Sequence, residues 1–153
     1  MKNILVLTDF SNASKQAFQH ALDYAKPLGA ANVQLTVLTV LEDLLPASVQ
    51  FEFGLTFIDA KGLLDQAEKE AVKALAKIQA EIFQGFTVST KVLRANEPVH
   101  VEVIHYIQKH SIDMVIMSTH GRTGVKRLVL GSVAERVIRE SPTPVLVVPM
   151  KHE

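Results

Sequence analysis

Apolar residues fall along this chain in two alternating rhythms. Ile4–Leu7, Met114–Met117 and Val145–Val148 are short uninterrupted runs with the length of strands, and Val33–Val40, which mixes β-branched residues with Leu35 and Leu38, reads as another strand. Runs with no polar alternation suit strands covered on both faces. Between them the apolar spacing lengthens to about 3.6 residues, the period of a helix with one buried side. Ala13, Ala17, Ala21, Leu22, Ala25 and Leu28 line such a side, with Ser11 placed as N-cap and Pro27 and Gly29 closing the helix. A longer helix, Asp59–Gln84, carries Leu64, Ala67, Ala71, Ala74, Leu75, Ile78 and Ile82 inward. Its other face holds Lys69, Lys73, Lys77 and Glu81, and Gly85 ends it. Phe86–Leu93 alternates through Val88, Thr90 and Val92, as a strand at a sheet edge would. Asn96-Glu97-Pro98 opens the next helix with Pro98 in its first turn, and Val103, Ile104 and Ile107 face inward. A last helix runs from Ser132 to Glu140; Pro142 and Pro144 turn the chain into the final strand, and Pro149 stops it.

The order β-α-β-α-β-α-β-α-β predicts an α/β fold, a parallel sheet with helices on both faces. With no internal repeat and no linker, residues 1–153 read as one domain. Only Leu41–Phe57 breaks the pattern. It holds Pro46 and Gly54, with Leu44, Leu45, Val49, Phe51, Phe53 and Phe57 at no clear period. One reading is an irregular flap packed on its own side chains; the other is a lid over a ligand or a dimer contact.

Composition narrows the class. At 153 residues and 48% hydrophobic content the chain is long enough to bury a sizeable core. Sixteen basic and 16 acidic residues cancel, which argues against nucleic acid or a membrane surface as a partner. The absence of cysteine removes disulfides and thiolate metal sites. The apolar run at Ile4–Leu7 is too short for a signal-peptide core or a membrane span, so a cytoplasmic protein is expected.

Candidate chemistry gathers at two strand ends. In a doubly wound sheet of order 3-2-1-4-5 the winding reverses between the first and fourth strands, and ligands sit beyond their carboxyl ends. Thr8-Asp9-Phe10-Ser11 follows the first strand and supplies a carboxylate for ribose hydroxyls or an adenine amine. Ser118–Ser132 follows the fourth. It brings Gly121, Gly124 and Gly131, hydroxyls on Ser118, Thr119, Thr123 and Ser132, and cations on Arg122, Lys126 and Arg127. A strand, a glycine-bearing loop and a helix start present amide N–H groups and a positive dipole end, which suits a polyphosphate. Plainer readings stand beside this one. Ser132 with Glu135 three residues on fits a capping box, and Gly121 and Gly131 fit turns of positive φ. The loop cations equally fit a solvated face, and Asp9 a strand-end cap.

Other chemistry is poorly supported. Neither G-x-x-x-x-G-K-[ST] nor G-x-G-x-x-G occurs, nor the G-x-S-x-G elbow that would favour a triad of Ser118, His120 and Asp9. His100, His105 and His110 recur every five residues. On a helix each is turned about 140° from the last, so they do not converge on one metal. With no paired acids or activated nucleophile, binding is expected rather than catalysis.

These residues together resemble the universal stress protein family over nearly the whole chain. The resemblance rests on Thr8-Asp9-Phe10-Ser11, the long second helix, Ser118-Thr-His-Gly121 followed by nine residues and Gly131-Ser132, and the closing Pro-Val-Leu-Val-Val-Pro. It implies a five-stranded sheet of order 3-2-1-4-5, of the adenine nucleotide alpha hydrolase-like type. It also implies a stress-response homodimer whose nucleotide-binding members hold ATP through G-x-x-G-x9-G-[ST]. Thr8, His120 and Arg122 fall within the matching segments, and Met117 directly precedes one; all four are candidate nucleotide-binding residues. Carried onto this chain, Asp9 would contact the adenosine part and the backbone of Val40 the adenine edge. Gly121, Gly131, Ser132 and Val133 would hold the phosphates of ATP, or of ADP or AMP, with Mg2+ accompanying them and at most slow hydrolysis. The first motif glycine is Ser118 here; its Cβ narrows the closest approach of the backbone, while its hydroxyl can donate. The apolar Val145–Val148 strand, bare at the end of a sheet, would be covered by its twin in a dimer. The rival reading is a nucleotide-free dimeric scaffold acting through protein partners, with the pocket filled by Ser118 and the Leu41–Phe57 segment. A nucleotide-cleaving enzyme comes third.

Overall fold

The computed structural model describes residues 1–42, 57–119 and 130–149, with backbone alone at 57–60. Five parallel strands form one sheet: β1 (Lys2–Leu7), β2 (Val33–Leu41), β3 (Thr87–Arg94), β4 (Met114–Ser118) and β5 (Val145–Val148). Their spatial order is β3-β2-β1-β4-β5, the expected arrangement. Among the described residues four α-helices alternate with them: α1 (Asn12–Ala25), α2 (Phe57–Ile82), α3 (Val99–Lys109) and α4 (Ser132–Glu140).

β1 sits at the centre, and its alternation builds both cores. Ile4 and Val6 face Ala17, Phe18 and Ala21 of α1 and Leu75 of α2. Leu5 faces Val103 and Ile107 of α3 and Val137 of α4. All three strand residues are 0% exposed, which accounts for the unbroken apolar run. The alanines of α1 bring that helix close to the sheet, and Phe18, absent from the inward set the spacing suggested, fills the space toward Phe83.

Ser11 caps α1 as expected, its hydroxyl accepting from the Ser14 amide at 3.2 Å. Leu28 does not join the inner stripe. A 3-10 turn over Lys26–Leu28 replaces the last helical turn and leaves it 38% exposed. Gly85 takes a φ of +83°, a conformation that only glycine adopts freely, where the chain leaves α2. Pro98 precedes α3 as its N-cap rather than entering its first turn, since its ψ of 143° is extended. Arg94 at the end of β3 is clamped to α2 through Asp65, at 2.6 Å, and Glu68, which fixes that strand end beside the crevice. Residues 43–56 of the Leu41–Phe57 segment lie outside the described residues; Leu41 itself ends β2 and Phe57 opens α2.

Candidate functional site

β1 stops at Leu7 while β2 runs on to Leu41, so the sheet has a step at its carboxyl end. The last rung between them is the Thr8 amide donating to the Leu38 carbonyl at 3.0 Å. On the far side of β2 the Leu41 carbonyl accepts from Ala95 at 2.8 Å. Backbone groups alternate sides along a strand, so Val40 turns its N–H and carbonyl toward the β1 side, beyond the end of β1. The register of β1 with β2 ends at Leu7 opposite Leu38, two residues short of Val40. A donor and an acceptor thus project into the step, the pair that the edge of a purine needs.

The loop after β1 is tightly braced. The Thr8 hydroxyl is 2.9 Å from that of Ser14 and accepts from the Phe10 amide at 3.0 Å, so this buried side chain secures the loop from within. Asp9 Oδ1 accepts from the Ser11 amide at 3.0 Å. Phe10 follows at φ +65°, an uncommon value for a side-chain-bearing residue, held by these bonds and by the apolar packing of its ring. Asp9 is therefore fixed at the mouth of the step, partly buried.

Opposite it, the Thr119 amide donates to Val148 and the Thr119 carbonyl accepts from Gly131, at 3.0 and 2.8 Å. These bonds anchor the start of α4 to the end of β4. The capping box expected from Ser132 and Glu135 does not form. Gly131 is the N-cap, Ser132 is already the first helical residue, and Glu135 pairs with Arg139 at 2.6 Å. The first backbone bond within α4 is Glu135 to Gly131 at 2.9 Å. The amides of Ser132, Val133 and Ala134 consequently have no acceptor within their own helix. Gly131 also departs from the positive-φ reading, with φ −62° and ψ 147°. Its own N–H is committed to Thr119, so what it offers a ligand is the lack of a side chain beside the free-facing helix start.

Met117 is buried in the core shared with α3 and α4, and Ser118 beside it is 9% exposed. Ser132 is exposed and Val133 half-buried, both lining a cleft of about 280 Å³ with Glu42, Pro98, Val99, His100 and Arg136. His120, Gly121 and Arg122, with Thr123, Gly124, Lys126 and Arg127, lie outside the described residues. Among the described residues no group of three or more His, Asp or Glu side chains could hold a metal ion. Of the cleft wall, Glu42, Pro98, Val99, His100 and Arg136 were not singled out by the sequence as site residues. No local motif marks them; α3 packed against α4 brings together all but Glu42, which follows β2.

The chain matches the model of the Universal stress protein family over residues 1–149. It is 35% identical to the universal stress protein MJ0531 of Methanocaldococcus jannaschii over 148 residues, covering 96% of this chain and 81% of that one. It superposes on the solved structure of MJ0577, from the same organism, with a TM-score of 0.81 at 31% identity, covering 99% of this chain and 98% of the other. A universal stress protein family member from Arabidopsis thaliana, solved with AMP bound, shares the fold at a TM-score of 0.61 and 14% identity, over 99% of this chain and 93% of that one.

Proposed function

Because the chain belongs to the universal stress protein family, we propose that it binds an adenine nucleotide, ATP in preference to ADP or AMP, in the step between β2 and β4. One observation carries the reading: the outward-facing Val40 backbone and the uncapped start of α4 flank the Asp9 loop at one end of the sheet. Adenine pairs with Val40, the ribose meets Asp9, and the phosphates accept from the amides of Ser132 and Val133. Gly121, His120 and Arg122 complete the phosphate side, and Mg2+ rides on the phosphate oxygens. The AMP complex of the Arabidopsis relative supports the ligand class. The protein acts as a cytoplasmic stress-response sensor or regulator whose output is occupancy, with hydrolysis slow or absent.

Gly131→Ala tests the phosphate side. At φ −62° any residue is accommodated, so the fold should persist. A Cβ there crowds the phosphates, and ATP affinity by calorimetry should fall by about tenfold or more, about 1.4 kcal/mol. Unchanged affinity would remove Gly131 from the site.

The partner in assembly is a second copy of the chain, joined along β5. The two sheet edges differ. β3 turns exposed Thr87, Ser89 and Lys91 outward, a guarded edge, whereas β5 is Val-Leu-Val-Val with three residues only half-buried. Light scattering at micromolar concentration should give a dimeric mass, and a monomeric mass would reject the β5 interface.

A further inference from the structure

Two helix starts open on the same cleft. Val99 and His100 are the first two residues of α3, Ser132 and Val133 the first two of α4, and all four line it. Neither helix carries a side-chain cap. In α3 the Pro98 carbonyl accepts from Val101 and Glu102, at 2.8 and 3.2 Å, so the Val99 and His100 amides have no acceptor within the helix. Glu102, the acid in the first turn of α3, is spent on the amides of Asn96 and Glu97, at 2.8 and 3.1 Å. The positive ends of two helix dipoles therefore meet in one small volume.

The side chains give a separate indication. The His100 imidazole is 9% exposed, yet Nε2 comes no nearer than 3.8 Å to Glu140 Oε1, beyond hydrogen-bond reach. Neither ring nitrogen makes a hydrogen bond among the described residues. Buried polar groups in native proteins are rarely left so. Arg136, exposed on the same wall, makes no ion pair among the described residues, although Arg139 on the same helix does. Two carboxylates oppose these donors: Glu42 in the cleft wall and Glu140 beside His100.

We propose that Arg136 and His100 are ligand-contacting residues for phosphate in this cleft, adding their side chains to the amides of both helix starts. The phosphate belongs either to the tail of the nucleotide, in which case the inference rests on the function proposed above, or to a free phosphate species. Calorimetry with AMP, ATP and inorganic pyrophosphate separates these sources on wild type, Arg136→Gln and His100→Gln. For a nucleotide tail, ATP binds wild type more tightly than AMP, and each substitution weakens ATP about tenfold while sparing AMP. For a free species, pyrophosphate binds wild type and weakens in both variants, whether or not nucleotides bind. If neither ATP nor pyrophosphate responds to Arg136→Gln, the cleft proposal is overturned. AMP binding would still stand as evidence for the nucleotide reading, and its absence as evidence against it. Because Arg136 is exposed, its variant carries the test even if His100→Gln fails to fold.

Discussion

Phe18→Ala should lower the free energy of unfolding by about 3–5 kcal/mol, the cost of emptying a well-packed aromatic site. The ring is 1% exposed and meets Phe83 edge-on, with centroids 5.7 Å apart and planes at 70°. That contact joins α1 to the residue following α2 across the same face of the sheet, so the cavity would open between two layers that rely on each other. An edge-to-face pair adds about 0.5–1.5 kcal/mol beyond burial, which a Phe18/Phe83 double-mutant cycle would isolate. Since domains of this kind are stable by only about 5–15 kcal/mol, such a loss is severe. Urea denaturation at fixed protein concentration measures it. A loss below about 1 kcal/mol would mean that Phe18 is not where this packing puts it.

Asp9→Ala is the largest effect expected on binding. A carboxylate hydrogen-bonded to a ribose is worth about 1.5–3 kcal/mol, so ATP affinity should fall by roughly ten- to a hundredfold. Alanine also removes the acceptor for the Ser11 amide, and so loosens the turn that leads into α1. Asp9→Asn separates the two contributions, since its amide oxygen can still accept from Ser11 without the charge. Calorimetry should rank wild type above Asp9→Asn and Asp9→Asn above Asp9→Ala. Less than a twofold change in Asp9→Ala would remove the carboxylate from ligand contact.

The sheet was legible in the sequence because a central parallel strand must be apolar on both faces, and Ile4-Leu5-Val6 advertises that. Helix faces were legible for the same reason, with errors where local geometry overrode periodicity. Leu28 was drawn outward by a 3-10 turn, and Phe18 fell between the alanines that set the apparent stripe. Of the candidate site, Asp9 and the start of α4 could be read locally, because a strand end and a helix start each have a chemical signature. The capping-box pattern of Ser132 and Glu135 misled, since the helix begins one residue earlier than a serine cap requires and Arg139 claims the glutamate. His100 and Arg136 could not have been found this way. They are 36 positions apart, on successive helices, and share a cleft only once α3 packs on α4.

Amide chemical shifts report, residue by residue, which backbone groups meet the ligand. Titrating isotopically labelled protein with ATP should give saturable shifts at Val40, Ser132 and Val133. The amide of Gly131, tied to Thr119, should move less than these. Saturable binding that leaves Val40, Ser132 and Val133 unmoved, or no binding at millimolar ATP, would contradict the account.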